Sequence, residues 1–178
     1  MKRFATALFV SAMFLPTLGD PASAQHVRSE RLLGGNENPP IISDGSGSFR
    51  ARLREDRIPF RLRYDFESEG SDVLQAHLHI ANPGNNGGIV VWLCSTIGNT
   101  PDGATQRDCP LSAGEVAGDI VAEDVQAVSE GDPAVEIIAA NDLEGLKRLI
   151  EQSSVYVNVH TVDHRGGEIR GQMEPRRR

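Results

Sequence analysis

Lysine is almost missing from this sequence. Lys2 and Lys147 are the only two, and every other basic side chain is arginine. Positive charge is also in deficit, with 18 basic against 25 acidic residues and a net charge of −7. That balance argues against a general nucleic-acid binder, which exposes an excess of positive charge. Catalytic signatures are missing too: there is no G-x-S-x-G elbow, no phosphate-binding P-loop and no H-E-x-x-H helix. Carboxylates abound, but no pattern pairs two of them in a setting that raises a pKa. Past the N-terminal segment no apolar run is long enough to span a bilayer, which takes about 20 residues. Internal repeats and domain boundaries are not evident.

What is present begins with an export signature. Lys2 and Arg3 precede an apolar stretch from Ala5 to Leu18, and Ala22-Ser23-Ala24 supplies the small-x-small pattern of a cleavage site. Residues 1–24 therefore read as a signal peptide, with the exported chain starting at Gln25 and no membrane span after cleavage. The expected location is periplasmic or secreted. Cys94 and Cys109, the only cysteines, fall in the exported part, where a disulfide persists. They bracket a stretch rich in Gly, Asn and Pro that reads as a loop. A structural staple and a metal or redox pair are the two options, and a spacing far from C-x-x-C favours the staple.

Period-2 alternation dominates the rest. Phe49, Ala51 and Leu53 alternate with Arg50, Arg52 and Arg54, and after Glu55-Asp56-Arg57 the run Phe60, Leu62, Tyr64, Phe66 alternates with Arg61, Arg63 and Asp65. This reads as an antiparallel hairpin with one buried and one wet face. Val73–Ile80 resumes the pattern. After a turn cluster at 82–88, Ile89–Cys94 is a continuous apolar run of the kind covered on both faces. Further strands are expected at 115–121, 154–161 and 167–173, with a short helix capped by Asn141 or Asp142 that buries Leu143, Leu146, Leu149 and Ile150. Residues 123–140 read as a surface excursion, and 174–178 as a short basic tail. The fold class is all-β, a sandwich or barrel with one short helix.

Two constellations stand out. In Gln75-Ala76-His77-Leu78-His79-Ile80 both histidines oppose the apolar residues, and in Val155–His160 the side chains of Tyr156, Asn158 and His160 oppose the valines. Burying the apolar sides sets His77, His79 and His160 on outward faces. If the two strands are neighbours, three imidazoles meet there, a set that suits copper or zinc. Glu168 is a candidate carboxylate on the same side, together with Arg170 and Gln172. The other reading is a polar outer face with hydrogen-bonding histidines. The second constellation is the arginine stripe of Arg50, Arg52, Arg54, Arg61 and Arg63. It either binds an anionic glycan or an acidic partner through bidentate contacts or is a solvated strand face that discourages edge pairing.

Several segments together resemble the CHRD (chordin) domain family. They are Leu33-Gly34-Gly35-Asn36-Glu37-Asn38-Pro39-Pro40, then Gln75–His79 and Gly87–Val91. The closing pair is the most specific: Tyr156-Val157-Asn158-Val159-His160-Thr161 and Gly166-Gly167-Glu168-Ile169-Arg170-Gly171-Gln172. The resemblance covers residues 32–173. It implies an immunoglobulin-like β-sandwich or barrel, distantly similar to copper/zinc superoxide dismutases. It implies no settled biochemical role for a chain carrying one such domain. His77, His79 and His160 echo the dismutase copper-ligand pattern, but no bridging histidine and no zinc-ligand set is evident, which argues against dismutase activity. The function expected is a non-enzymatic binding or structural module whose partner is an extracytoplasmic protein or a glycan. The alternative is a copper- or zinc-binding protein with a three-histidine surface site.

Overall fold

The computed structural model describes residues 25–176 apart from residues 69 and 132. The leader segment expected at 1–24 lies outside the described residues.

Alternation in the sequence becomes strand after strand. In chain order these are β1 (Gln25–Leu33), β2 (Ser46–Leu53), β3 (Ile58–Asp65), β4 (Val73–Ile80), β5 (Ile89–Ser95) and β6 (Ala113–Ile120). Then come β7 (Val128–Glu130), β8 (Val135–Ile138), β9 (Val155–Thr161), β10 (Ile169–Gln172) and β11 (Glu174–Pro175). All but β7 and β8 belong to one antiparallel sheet whose hydrogen-bonded order is β5-β4-β9-β10-β1-β2-β3-β6, with β11 paired to β1. Residues from both halves of this path join a single buried cluster. Phe49, Leu62, Leu78, Ile120, Val157 and Ile169 are fully buried in it. Each such side chain contributes about 1.5–3 kcal/mol by leaving water. The architecture is the β-sandwich expected from the sequence.

The two ends of the strand path are fastened together. Cys94 on β5 is bonded to Cys109, just ahead of β6, and Ser95 N–H donates to the Arg107 carbonyl at 2.9 Å. Closing a loop of this length stabilises by about 3 kcal/mol in the chain-entropy model. The cysteines are thus a staple.

The single helix, α1 (Leu143–Glu151), starts where expected. The Asp142 carboxylate accepts the Gly145 N–H at 2.7 Å, and Leu143, Leu146 and Ile150 are buried. Two regions differ from the sequence reading. No strand was expected ahead of Phe49, yet β1 pairs with β2 from Gln25↔Leu53 to Leu33↔Ser46; its register shift between Ser29 and Leu32 breaks the alternation that would have revealed it. Residues 123–140 are more than a surface excursion: β7 and β8 form a small hairpin that buries Val128 and Ile138. Just ahead of it, buried Asp124 accepts the N–H groups of Thr105 and Val121. At the C-terminus, strand pairing carries the tail as far as Arg176, whose N–H donates to the His26 carbonyl.

Candidate functional site

Strands β4 and β9 are neighbours, with His77 opposite Asn158, His79 opposite Tyr156 and Gln75 opposite His160. Because side chains repeat every second residue, His77, His79, Tyr156, Asn158 and His160 share the face turned away from the core. Trp92 of β5 joins them opposite His77, and Arg170 of β10 joins them opposite Asn158.

The outward, water-facing placement expected for this face is wrong. His77 is 0 % exposed, His79 8 % and His160 7 %. Three loops roof the face. The Glu37 carboxylate accepts from the Asn158 amide at 2.7 Å. The Asn38 amide donates to the Gly84 carbonyl and the Asn86 amide to the Asn38 carbonyl, tying loop 37–41 to loop 82–88. Arg170 donates to the Asn85 carbonyl and to Asn86 Oδ1, and its guanidinium lies 3.4 Å above the Tyr156 ring. Two glycines make the roof fit. A Cβ on Gly87 would lie 1.8 Å from the Ile80 carbonyl oxygen. Gly167, at φ +124°, is crowded by Asn158 and Glu37.

Under the roof the imidazoles converge. His77 Nδ1 and His160 Nε2 are 3.2 Å apart, and one ligand nitrogen from each of the three histidines lies within 4.8 Å of the others. His79 Nδ1–H donates to the Gly87 carbonyl and His160 Nδ1–H to the Arg165 carbonyl, both at 2.9 Å. These acceptors assign the proton to Nδ1 in each ring and leave Nε2 with its lone pair. His77 Nε2 and His79 Nε2 are buried with no hydrogen-bond partner. His79 also stacks flat on Tyr156, and Trp92 meets the His77 ring edge-on with centroids 4.2 Å apart.

Burial also sets the charge of the site. Desolvation, reinforced by His160 and His79, lowers the His77 pKa to about 2. Desolvation lowers His79 to about 4, against the pull of the Gly87 hydrogen bond, and His160 is lowered for the same reason. All three rings are neutral at physiological pH, the state in which imidazole ligates a metal. Nearby, burial raises Glu37 to about 7 despite Arg170 and Asn158.

Glu168 takes a different place. Its carboxylate accepts from Ser43 Oγ at 2.8 Å and from Thr161 Oγ1, and it is absent from the histidine group. One oxygen thus braces the roofing loop through Ser43 and the other holds Thr161 at the end of β9. The arginine stripe is exposed, as its spacing implied: Arg50, Arg52, Arg54, Arg61 and Arg63 all face solvent on β2, β3 and the turn after β2. Glu115 pairs with Arg61 and Arg63 at 3.1 and 2.6 Å. Tyr156 and Asn158 were legible as His160's neighbours from alternation alone. Glu37 was not, lying 121 residues from its partner Asn158.

A search of curated proteins and a search of solved structures each return no match. The family model of the CHRD domain matches residues 29–173, and the chain therefore belongs to the CHRD domain family.

Proposed function

We propose that this protein is an exported, non-enzymatic binding module that holds one transition-metal ion, copper in preference to zinc, on His77, His79 and His160. The observation that carries the reading is the convergence of three neutral, buried imidazoles with two Nε2 atoms that lack any partner. An orphaned buried acceptor costs about 1–3 kcal/mol, and a metal ion held by His77 Nδ1, His79 Nε2 and His160 Nε2 removes that cost at His79. Two nitrogens bound to one ion at about 2.0–2.1 Å and a near-tetrahedral angle sit about 3.3 Å apart. The 3.2 Å between His77 Nδ1 and His160 Nε2 fits that spacing. Carbonyls on the Nδ1–H of His79 and His160 are the outer-shell partners that fix a ligating tautomer. A set of imidazoles without thiolate suits copper and zinc, and copper binds more tightly at equal geometry.

Export is supported by the N-terminal pattern and by the Cys94–Cys109 disulfide. Among the described residues no helix is long and apolar enough to cross a membrane. The competing reading keeps the histidines as a buried hydrogen-bonded trio in a module whose ligand lies elsewhere.

The test uses the only tryptophan, which touches His77. Residues 25–178, which contain the whole described fold, are titrated with Cu(II) and Zn(II) while Trp92 fluorescence and heat are recorded. The expected result is one-to-one binding, strong quenching by copper, little quenching by closed-shell zinc, and loss of both signals in H79F/H160F. Equal, weak binding by the two proteins would remove the metal reading and leave the trio as structure.

A further inference from the structure

The outer face of β1, β2 and β3 lies apart from the histidine site and carries a second feature that the proposed function does not use. In register across the three strands, Arg28 lies opposite Arg50 and Arg50 opposite Arg61, while His26 lies opposite Arg52. With Arg63 and Arg176 they line an open groove of about 750 Å³. Like charges directly opposite each other on a sheet are destabilising, and this row sits on a protein of net charge −7. Among the acidic side chains described, Glu115 lies at its margin beside Arg61 and Arg63 and Glu174 lies in register with Arg28. Among the described residues Arg50 and Arg52, in the middle of the groove, have no acidic side chain within ion-pair distance. The row therefore concentrates uncompensated positive charge at Arg50 and Arg52 on one open face of the sheet.

We infer that this groove binds a linear acidic polysaccharide, with guanidinium forks on successive sulfate or carboxylate groups. Three observations select this partner. The cations are all arginine, whose planar fork matches carboxylate and sulfate bidentately, whereas lysine acts as a point charge. Neighbouring strands are about 4.8 Å apart and same-face residues on one strand about 6.6 Å apart, a grid on the scale of one sugar residue. The groove is shallow and its aromatic ring, Phe60, is 5 % exposed. No ring is therefore offered for base stacking, no helix or ribbon is offered to a DNA groove, and no apolar wedge is offered to a membrane. The acidic remainder of the surface opposes a long duplex but not a chain held only in the groove.

The experiment is a binding titration of residues 25–178 with a heparin oligosaccharide at about 0.05 and 0.15 M salt, repeated with duplex DNA of matching charge. The wild-type protein is expected to bind heparin with a steep salt dependence. R50T/R52T, at exposed strand positions that tolerate threonine, is expected to bind at least tenfold more weakly with a shallower salt slope. R148T, on the helix, leaves binding unchanged, and R50K/R52K keeps the salt slope because it keeps the charge. Unchanged binding by R50T/R52T, no binding by the wild type, or tighter binding of duplex DNA than of heparin would each overturn the inference. Melting curves of every variant exclude misfolding as the cause of a loss.

Discussion

Two polar faces of one sheet began with the same sequence signature and met opposite fates. On β4 and β9 the residues opposite the core are histidine, tyrosine and asparagine, and they are buried. On β2 and β3 the residues opposite the core are arginines, and they are exposed. Period-2 alternation describes both equally well, since it reports only that one side differs from the other. The difference lies in what covers them. Loops 37–45, 82–88 and 162–167 close over the first face through hydrogen bonds donated by Asn38 and Asn86 and accepted by Glu37, the Arg165 carbonyl and Glu168. Residue chemistry permits this: neutral imidazole, phenol and amide groups can be desolvated if they find partners. A row of five guanidinium groups cannot, because each buried cation needs its own counter-charge. One face thus became a closed pocket of neutral ligands and the other an open field of charge.

The largest effect is expected at the roof. In G87A the new methyl meets the Ile80 carbonyl oxygen, a backbone atom that can move only with its strand. Destabilisation by about 3 kcal/mol or more is expected in urea unfolding, together with loss of metal-dependent stabilisation. Acid should separate the faces next. In metal-stripped protein the buried histidines stay neutral, with His77 at about 2 and His79 at about 4, while in the unfolded chain they take up protons below about 6.5. The unfolded state then binds more protons, and stability falls as the pH drops from 6.5 to 4.5. Glu37, raised to about 7, works the other way over this window, since it is protonated folded and ionised unfolded. Two histidines against one carboxyl leave a net loss averaging about 1 kcal/mol per pH unit over this window, measurable by denaturation at a series of pH values. His77→Phe should flatten that slope.

Glu168→Ala probes the anchor of the roof without touching a histidine. It leaves buried Thr161 Oγ1 and Ser43 Oγ without their acceptor, and a cost of about 2 kcal/mol is expected by chemical unfolding. The smallest effect belongs to the open face. R50T/R52T should change stability by no more than about 0.5 kcal/mol, with the acid slope unaltered. Glu115 on the same face keeps a lowered pKa through its hydrogen bond to Arg63, but as an exposed pair it adds little stability. A large loss in R50T/R52T would mean that the arginine face is a structural element after all.

Much of this was legible in the amino-acid order. The strands from β2 to β6, β9 and β10, the helix cap at Asp142 and the staple between Cys94 and Cys109 all follow from spacing, turn residues and compartment. So does the sharing of one face by His77, His79 and His160 once β4 and β9 pair. What escaped has physical causes. β1 lacks steady alternation because of its register shift, and β7 and β8 are three and four residues long, too short for periodicity to register. Glu168 carries the right chemistry for a ligand and lies on the expected side, but two hydroxyl donors reach its oxygens first.

Residue order alone sets which side of each strand faces the core, because alternation is a local property of the pleated backbone. It also determined that the three histidines are opposite that core and that the arginines line up on a second face. That the histidine face is roofed and made neutral follows from long-range packing instead. That outcome depends on contacts such as Glu37 with Asn158 and Ser43 with Glu168, 121 and 125 residues apart. No local rule of spacing reaches over such a distance; it is set by which loops the strand order brings to the same side of the sheet.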